Sequence, residues 1–407
     1  MASINLNLRS YLTVTGGYWA FTLTDGAIRM LVVLYFHQLG YSPLQVAMLF
    51  IFYEFFGIVT NLVGGWLASR LGLNVTMHLG MVIQIIALGL LTVPDTWLSV
   101  PFVMFAQALS GIAKDLNKMS AKASVKTVVP ADANDRLFKW VSILTGSKNA
   151  LKGTGFFLGA GLLDVFGFRS TLLILAAGLF VVLLITLMLL PHELGQSKAK
   201  PKFTQVFSNS APINWLSAAR FFLFGARDVW FVVALPVFLA EVLGWRFTQI
   251  GGFLALWVIG YGIVQAGSPA LWGMKQHAPD ARAAQLSAFI LMLIPAGIAL
   301  SLDQDWNAEI IIVAGLLVFG VVFAINSALH SFLILAYADH DSVALKVGFY
   351  YMANASGRLT GTVLSGWGYQ QFGLAGCLWL SAGFVLVALS LSLPLPVNAD
   401  KAILNKL

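Results

Sequence analysis

The sequence predicts an all-α membrane protein with twelve transmembrane helices in two six-helix bundles. Three observations carry that prediction. First, 59% of the 407 residues are hydrophobic and only 10% charged, with a mean hydropathy of +0.84; a soluble domain carries about 25% charged residues. One water-facing core cannot hide so much apolar surface, so lipid must be the solvent. Second, the apolar residues come in unbroken runs such as 171–190. A lipid-facing β-strand would alternate instead, and a helix satisfies every backbone polar group within its own segment. Third, the two halves of the chain carry related short patterns at a nearly constant offset.

A spanning helix needs about 20 mostly apolar residues. Read in order, the chain offers spans at 17–38, 45–68, 75–93, 98–121, 138–163, 170–190, 213–240, 247–271, 283–302, 308–336, 344–367 and 373–395. Span 1 already carries Asp25 and Arg29 and follows a polar segment at 1–11, which predicts a retained helix rather than a cleavable signal core. Most connections are short. Two are longer and polar, 122–139 and 191–212, and the second divides the chain into bundles at 1–190 and 213–407 with a cytoplasmic linker between them. Orientation follows from loop lysine and arginine. Arg9, Arg70, Lys122, Lys126, Arg136, Lys139, Lys198, Lys200, Lys202, Lys275, Arg282, Lys401 and Lys406 fall on one side, thirteen in all, against Arg169 and Arg246 on the other. This predicts cytoplasmic termini in a bacterial inner membrane. Asp95, Asp303, Asp305 and Glu309 then lie outside.

The repeat is short but consistent. Leu39-Gly40-Tyr41 with Gln45 returns as Leu243-Gly244-Trp245 with Gln249, an offset of 204. Lys152, Gly155 and Phe166-Gly167 return as Arg358, Gly361 and Phe372-Gly373, an offset of 206. Asp25 has a near counterpart in Asp228. The loop Gly65-Trp66-Leu67-Ala68-Ser69-Arg70-Leu71-Gly72 resembles the G-x-L-A-D-R-x-G signature of the major facilitator superfamily of secondary transporters, and the 6+6 division resembles its architecture. Ser69 stands where that signature has an aspartate, which puts the associated cytoplasmic latch in doubt and leaves Arg70 in need of another partner.

Intramembrane charge is costly and normally faces a cavity or a partner. Within the spans or a turn of their ends we read nine basic residues, Arg29, Lys114, Lys118, Lys148, Lys152, Arg220, Arg227, Lys346 and Arg358, against four acids, Asp25, Glu54, Asp115 and Asp228. Uncompensated, each surplus cation costs about 3 kcal/mol, and an anionic substrate in a wet cavity would compensate them. Arg29, Lys148, Arg227 and Arg358 lie roughly 15–21 Å from their membrane faces at 1.5 Å per residue, near the midplane. Lys148 and Lys152 share a helical face, as do Lys114 and Lys118. The superfamily resemblance implies that helices 1, 4, 7 and 10 line the cavity, beside 2, 5, 8 and 11. The alternatives are snorkelling for Lys118 and Lys346, simple pairing of Arg29 with Asp25, and pairing of Arg227 with an acid elsewhere. Asp25, Asp115 and Asp228 read as counter-ions or proton carriers. Glu54, with no basic residue beside it in sequence, is the better candidate proton carrier, or else a protonated structural acid.

Asn326, Ser327 and His330 in span 10 and Tyr350, Tyr351 and Asn354 in span 11 are candidate ligand donors, or bonds between helices. Gly153, Gly155, Gly159 and Gly161 read as close-packing positions rather than a phosphate loop. Cys377 is the only cysteine and the six histidines are scattered, so no metal site, cofactor or membrane-embedded enzyme is expected. Nor is a nucleic-acid partner.

Four stretches resemble a narrower family, the ArsJ organoarsenical efflux permeases. They are 22–45 (Thr22 through Asp25 and Arg29 to Gln45), 107–122 (Gln107 through Lys114, Asp115 and Lys118 to Lys122), 144–153 and 224–236. That resemblance implies export of 1-arseno-3-phosphoglycerate, made from arsenate by a glyceraldehyde-3-phosphate dehydrogenase partner, and hence arsenate resistance. The residue-level reading agrees. A doubly anionic cargo suits bidentate arginine and point-charge lysine, and a chain without a cysteine cluster suits an oxyanion better than thiophilic trivalent arsenic. The expected binding residues are Arg29, Lys114, Lys118, Lys148, Lys152, Arg227, Arg358, Asn326, Tyr351 and Asn354, in a monomer working by alternating access. An organophosphate or sugar-phosphate antiporter with the same basic cavity is the alternative, and the driving force is left open.

Overall fold

The computed structural model describes residues 2–40, 49–128, 134–190, 210–245, 247–272, 279–302, 304, 306–338 and 343–397. Tyr41 and Gln45 of the repeat, Lys198, Lys200 and Lys202 of the linker, and Arg246, Lys275, Asp303, Asp305, Lys401 and Lys406 lie outside them. Among the described residues the long elements are all helices: α1 (Ala2–Gln38), α2 (Ile51–Leu71), α3 (Leu73–Leu90), α4 (Val100–Val128), α5 (Asn134–Leu189), α6 (Ala211–Phe231), α7 (Ala234–Glu241), α8 (Phe247–Gly267), α9 (Ala281–Leu302), α10 (Ala308–Tyr337) and α11 (Val343–Ser392). The all-α membrane fold read from the sequence is the fold observed.

The differences from the expected spans have local causes. Helix α5 joins spans 5 and 6 through one residue, Gly167 (φ 74°), and α11 joins spans 11 and 12 through Gly373 (φ 64°). Positive φ is open to glycine at little steric cost, so a single residue turns the chain without a loop. Gly40 and Gly244 also have positive φ, 87° and 68°. Among the described residues, four of the five positive-φ glycines are therefore the two pairs that the repeat identifies. Span 7 is divided into α6 and α7 at Val232 and Val233. Pro236 explains the break, because its ring clashes with the carbonyl four residues earlier. The amides of Val233 and Ala234 donate instead to the Ser365 hydroxyl, at 3.3 and 3.1 Å. The polar connection expected at 122–139 is mostly helix, since α4 runs to Val128 and α5 begins at Asn134. The helices also take in Arg9, Arg70, Lys122, Lys126, Arg136, Lys139, Arg169 and Arg282, and Asp135, Asp164, Glu241 and Glu309, of which Lys139 and Glu309 already fall inside the expected spans, so the nine-to-four tally is not a full count of helical charge.

Among the described residues, eight helices are long and apolar enough to cross a membrane, the two longest more than once by length. Among the described residues α1 and α4 contain no such span; they carry Asp25 and Arg29, and Lys114, Asp115 and Lys118. Leu173, Phe180, Val181, Leu184, Leu187 and Met188 of α5 are exposed, a stripe that would be a liability in water and is ordinary in lipid.

The chain forms two compact units. One comprises Met1–Ala133, Ser147–Phe207 and Asp339–Met352; the other comprises Asn134–Gly146, Ser208–Ala338 and Ala353–Leu407. In the first, α1, α2 and α3 pack on α4, around Ile28, Leu31, Phe36, Leu88, Val103 and Leu172. In the second, α8 and α9 pack on α10, around Trp230, Trp257, Leu291, Phe319, Phe323 and Leu378. Lipid removes the hydrophobic drive between helices, so close approach at small residues has to hold them. A Cβ on Gly155 would lie 2.6 Å from the Leu23 carbonyl, and one on Gly361 would lie 2.6 Å from the Gly225 carbonyl. The offset-206 glycine pair thus makes the same kind of contact in each unit.

Candidate functional site

Each unit holds one cluster of charged side chains. In the first, the Asp25 carboxylate on α1 accepts from the Tyr53 hydroxyl at 2.6 Å and from the Lys152 ammonium of α5 at 3.4 Å. One turn along α1, Arg29 donates from Nη2 to Glu54 Oε1 at 2.9 Å, and its guanidinium lies 4.0 Å from the centre of the Tyr53 ring. Lys114 of α4 lies 3.8 Å from that same ring centre and 3.6 Å from Asp115. Lys118 meets Asp115 Oδ1 at 2.5 Å and sits 4.5 Å from the Tyr351 ring centre. Lys148 donates to Asn149 Oδ1 at 3.3 Å. Gly57 makes room for this cluster, since a Cβ there would lie 2.7 Å from Asp115 Oδ2.

The second cluster is built on one carboxylate. Asp228 accepts from Arg227 through Nη2 at 2.5 Å and Nε at 2.6 Å, and from Arg358 Nε of α11 at 3.1 Å. Arg227 is framed by Phe224, Phe231 and Phe323 at 5.1, 5.8 and 5.8 Å. Arg220, two turns earlier on α6, stacks 3.8 Å over Phe224 and donates to Asn354 Oδ1 at 2.8 Å and to the Ser327 carbonyl at 3.4 Å.

One feature recurs in both units. The side chains of Asp25, Asp115 and Asp228 are 3, 1 and 0% exposed, while the cations bonded to them are 13–24% exposed. The carboxylates lie inside the packing and the cations reach out over them. Cations outnumber acids by two in each cluster: Arg29, Lys114, Lys118, Lys148 and Lys152 against Asp25, Glu54 and Asp115, and Arg220, Arg227 and Arg358 against Asp228. Such an arrangement can present N–H donors and net positive charge to an anion while buried acids hold the donors in place.

Several sequence readings change. Glu54 does have a basic partner, Arg29, which reaches it from the neighbouring helix and bypasses Asp25 one turn away. Lys152 and Arg358 have no acid within reach on their own helices, but Asp25 and Asp228 reach them from α1 and α6. Lys118 does not snorkel; it bonds to Asp115. Asn326 is fully buried and donates to the Ala284 carbonyl at 2.9 Å and to Ser287 at 2.6 Å, so its amide joins α10 to α9. Arg70 stacks on Trp66 at 5.1 Å, and Ser69 bonds back to the Trp66 carbonyl. Sequence reasoning missed Tyr53, Phe224 and Ser365. A tyrosine next to an intramembrane acid is a weak signal, and only the tertiary fold brings Arg29 and Lys114 to its ring. Among the described residues, no group of three metal-ligating side chains is close enough to hold an ion.

Long apolar helices enclosing buried ion pairs in two related units define a multi-pass membrane protein of the transporter type. The family description of the Major Facilitator Superfamily matches residues 14–334. The human organic anion transporter MFSD10 (TETRAN) superposes with a TM-score of 0.74 at 15% identity, covering 95% of this chain and 99% of that one. The proton:xylose symporter XylE superposes at 0.73 with 14% identity, covering 96% of each chain. A bacterial homologue of ferroportin, in an outward-facing state, superposes at 0.70 with 14% identity, covering 94% of this chain and 98% of that one. No curated protein matches the sequence. The chain belongs to the Major Facilitator Superfamily and is a membrane transporter.

Proposed function

We propose that this transporter exports an organic dianion, and that its cargo is 1-arseno-3-phosphoglycerate, as the ArsJ-like stretches imply. The observation that carries the anionic cargo is the layering of partly exposed cations over buried carboxylates in both units. Arg29, Lys148 and Lys152 of the first unit and Arg227 and Arg358 of the second bind anionic groups, Lys114 and Lys118 draw cargo in from the cytoplasm, and Tyr351 and Asn354 add polar contacts. The buried carboxylates serve as fixed counter-ions. Both termini lie in the cytoplasm of a bacterial inner membrane, a reading that the thirteen-to-two loop asymmetry supports. A glyceraldehyde-3-phosphate dehydrogenase supplies the cargo, the transporter performs no chemistry on it, and a monomer alternates access to the two sides.

The test is uptake into everted vesicles. Arsenate alone, arsenate with the dehydrogenase, its triose substrate and nicotinamide cofactor, and labelled phosphoglycerate are compared, each with and without a protonophore. Uptake of arsenic only in the coupled arm supports the reading. Phosphoglycerate uptake with no arsenic uptake replaces it with a sugar-phosphate exchanger. Lys152→Ala and Lys148→Ala should abolish arsenate resistance while the protein still inserts, and normal resistance in both would remove these lysines from the site.

A further inference from the structure

The first cluster converges on a side chain that carries no charge. Tyr53 is fully buried in the first turn of α2. Its backbone is clamped by α4, where a Cβ on Gly111 would lie 3.0 Å from the Tyr53 Cα. Its ring centre is 4.0 Å from the Arg29 guanidinium carbon and 3.8 Å from Lys114 Nζ, and its hydroxyl donates to Asp25 at 2.6 Å. Asp25 in turn holds Lys152. Tyr53 therefore touches two of the basic side chains directly and a third through one carboxylate, from α1, α4 and α5.

The chemistry of the two kinds of anchor differs. A carboxylate that holds a cation also cancels its charge. An aromatic face attracts a cation through its quadrupole and leaves the net charge in place. A ring that gathers two cations thus fixes their positions without adding negative charge to the Glu54 and Asp115 carboxylates already paired with them, and its hydroxyl ties them to the Asp25–Lys152 pair.

We propose that Tyr53 is the positioning residue of the first unit's anion site, holding Arg29 and Lys114 by its ring face and Lys152 through Asp25. This rests on the anion-export reading above. Being buried, Tyr53 does not touch cargo, and its effect acts through the cations.

The experiment separates the ring from the hydroxyl in everted vesicles supplied with arsenate, the dehydrogenase, its triose substrate and cofactor. Tyr53→Phe keeps the ring and should raise KM about threefold through the lost bond to Asp25. Tyr53→trifluorophenylalanine keeps the shape of phenylalanine but weakens the quadrupole, and should raise KM about fivefold further, with Vmax within about twofold. Tyr53→Leu should raise KM by more than about tenfold, and KM should become less sensitive to salt as the ordered cations disperse. A purely structural role lowers inserted protein and Vmax and does not separate the fluorinated from the plain ring. Equal KM for phenylalanine and trifluorophenylalanine overturns the positioning role. No uptake of arsenic by the wild type overturns the export reading instead, and this inference falls with it.

Discussion

The two clusters meet the same electrostatic demand with different side chains. In the first unit three acids are spread among five cations, two of which, Arg29 and Lys152, pair with acids across helices, and a tyrosine ring collects two. In the second, a single carboxylate is gripped by two arginines and the surrounding frame is phenylalanine. Lysine is a compact point charge on a flexible stem, so several anchors are needed to localise it. Arginine is a planar fork that one carboxylate can orient. The first cluster is therefore distributed and the second concentrated, and the two should fail differently.

The largest contrast lies in the acids. Asp228→Asn leaves two arginines without the buried carboxylate that holds them and should destabilise the second unit by about 3–5 kcal/mol, read as loss of thermal stability in detergent. Asp25→Asn removes one partner of Lys152 while Tyr53 still has an acceptor, and should cost less. Equal losses would erase the distinction between concentrated and distributed clusters. Next come the glycines. Gly155→Leu and Gly361→Leu force a side chain onto the facing backbone in each unit and should each cost about 1–3 kcal/mol or more. Here the units should behave alike, in contrast to Gly161→Ala, where nothing lies within 4 Å of the added Cβ. Ser365→Ala strips the acceptor from two backbone amides at the break between α6 and α7 and should cost about 1–3 kcal/mol, an effect with no counterpart in the unbroken α1. The smallest effect belongs to the ion pairs that retain solvent. Glu54→Gln, on a pair 20 and 16% exposed, should shift stability by about 1 kcal/mol or less, and Arg169→Ala, on a pair about half exposed, by less than about 0.5 kcal/mol.

Much of this was legible in one dimension. Lipid as solvent followed from composition, and the helices followed from unbroken apolar runs. The turns at Gly167 and Gly373 could be located because the repeat places Phe-Gly at the same offset in both halves. Pro236 marks where a helix breaks, although span 7 reads straight through it because its apolar run is continuous. The candidate cations were also legible, since charge at bilayer depth is conspicuous in a sequence. Their partners were not. Glu54 looked isolated and Arg29 seemed matched to Asp25 because spacing along one helix was the only geometry in view.

Chemical demand is written residue by residue. How many helices cross, which side chains carry charge into lipid, and how far cations outnumber acids all follow from side-chain identity and the energetics of an apolar solvent. Pairing depends on distance across helices, and that is set by which backbones approach closely enough. Gly111, Gly155 and Gly361 bring those backbones together, and Gly57 leaves room for the Asp115 side chain. Only then does Arg29 choose Glu54 over Asp25, does Asp228 serve two arginines, and does one tyrosine become the meeting point of three helices.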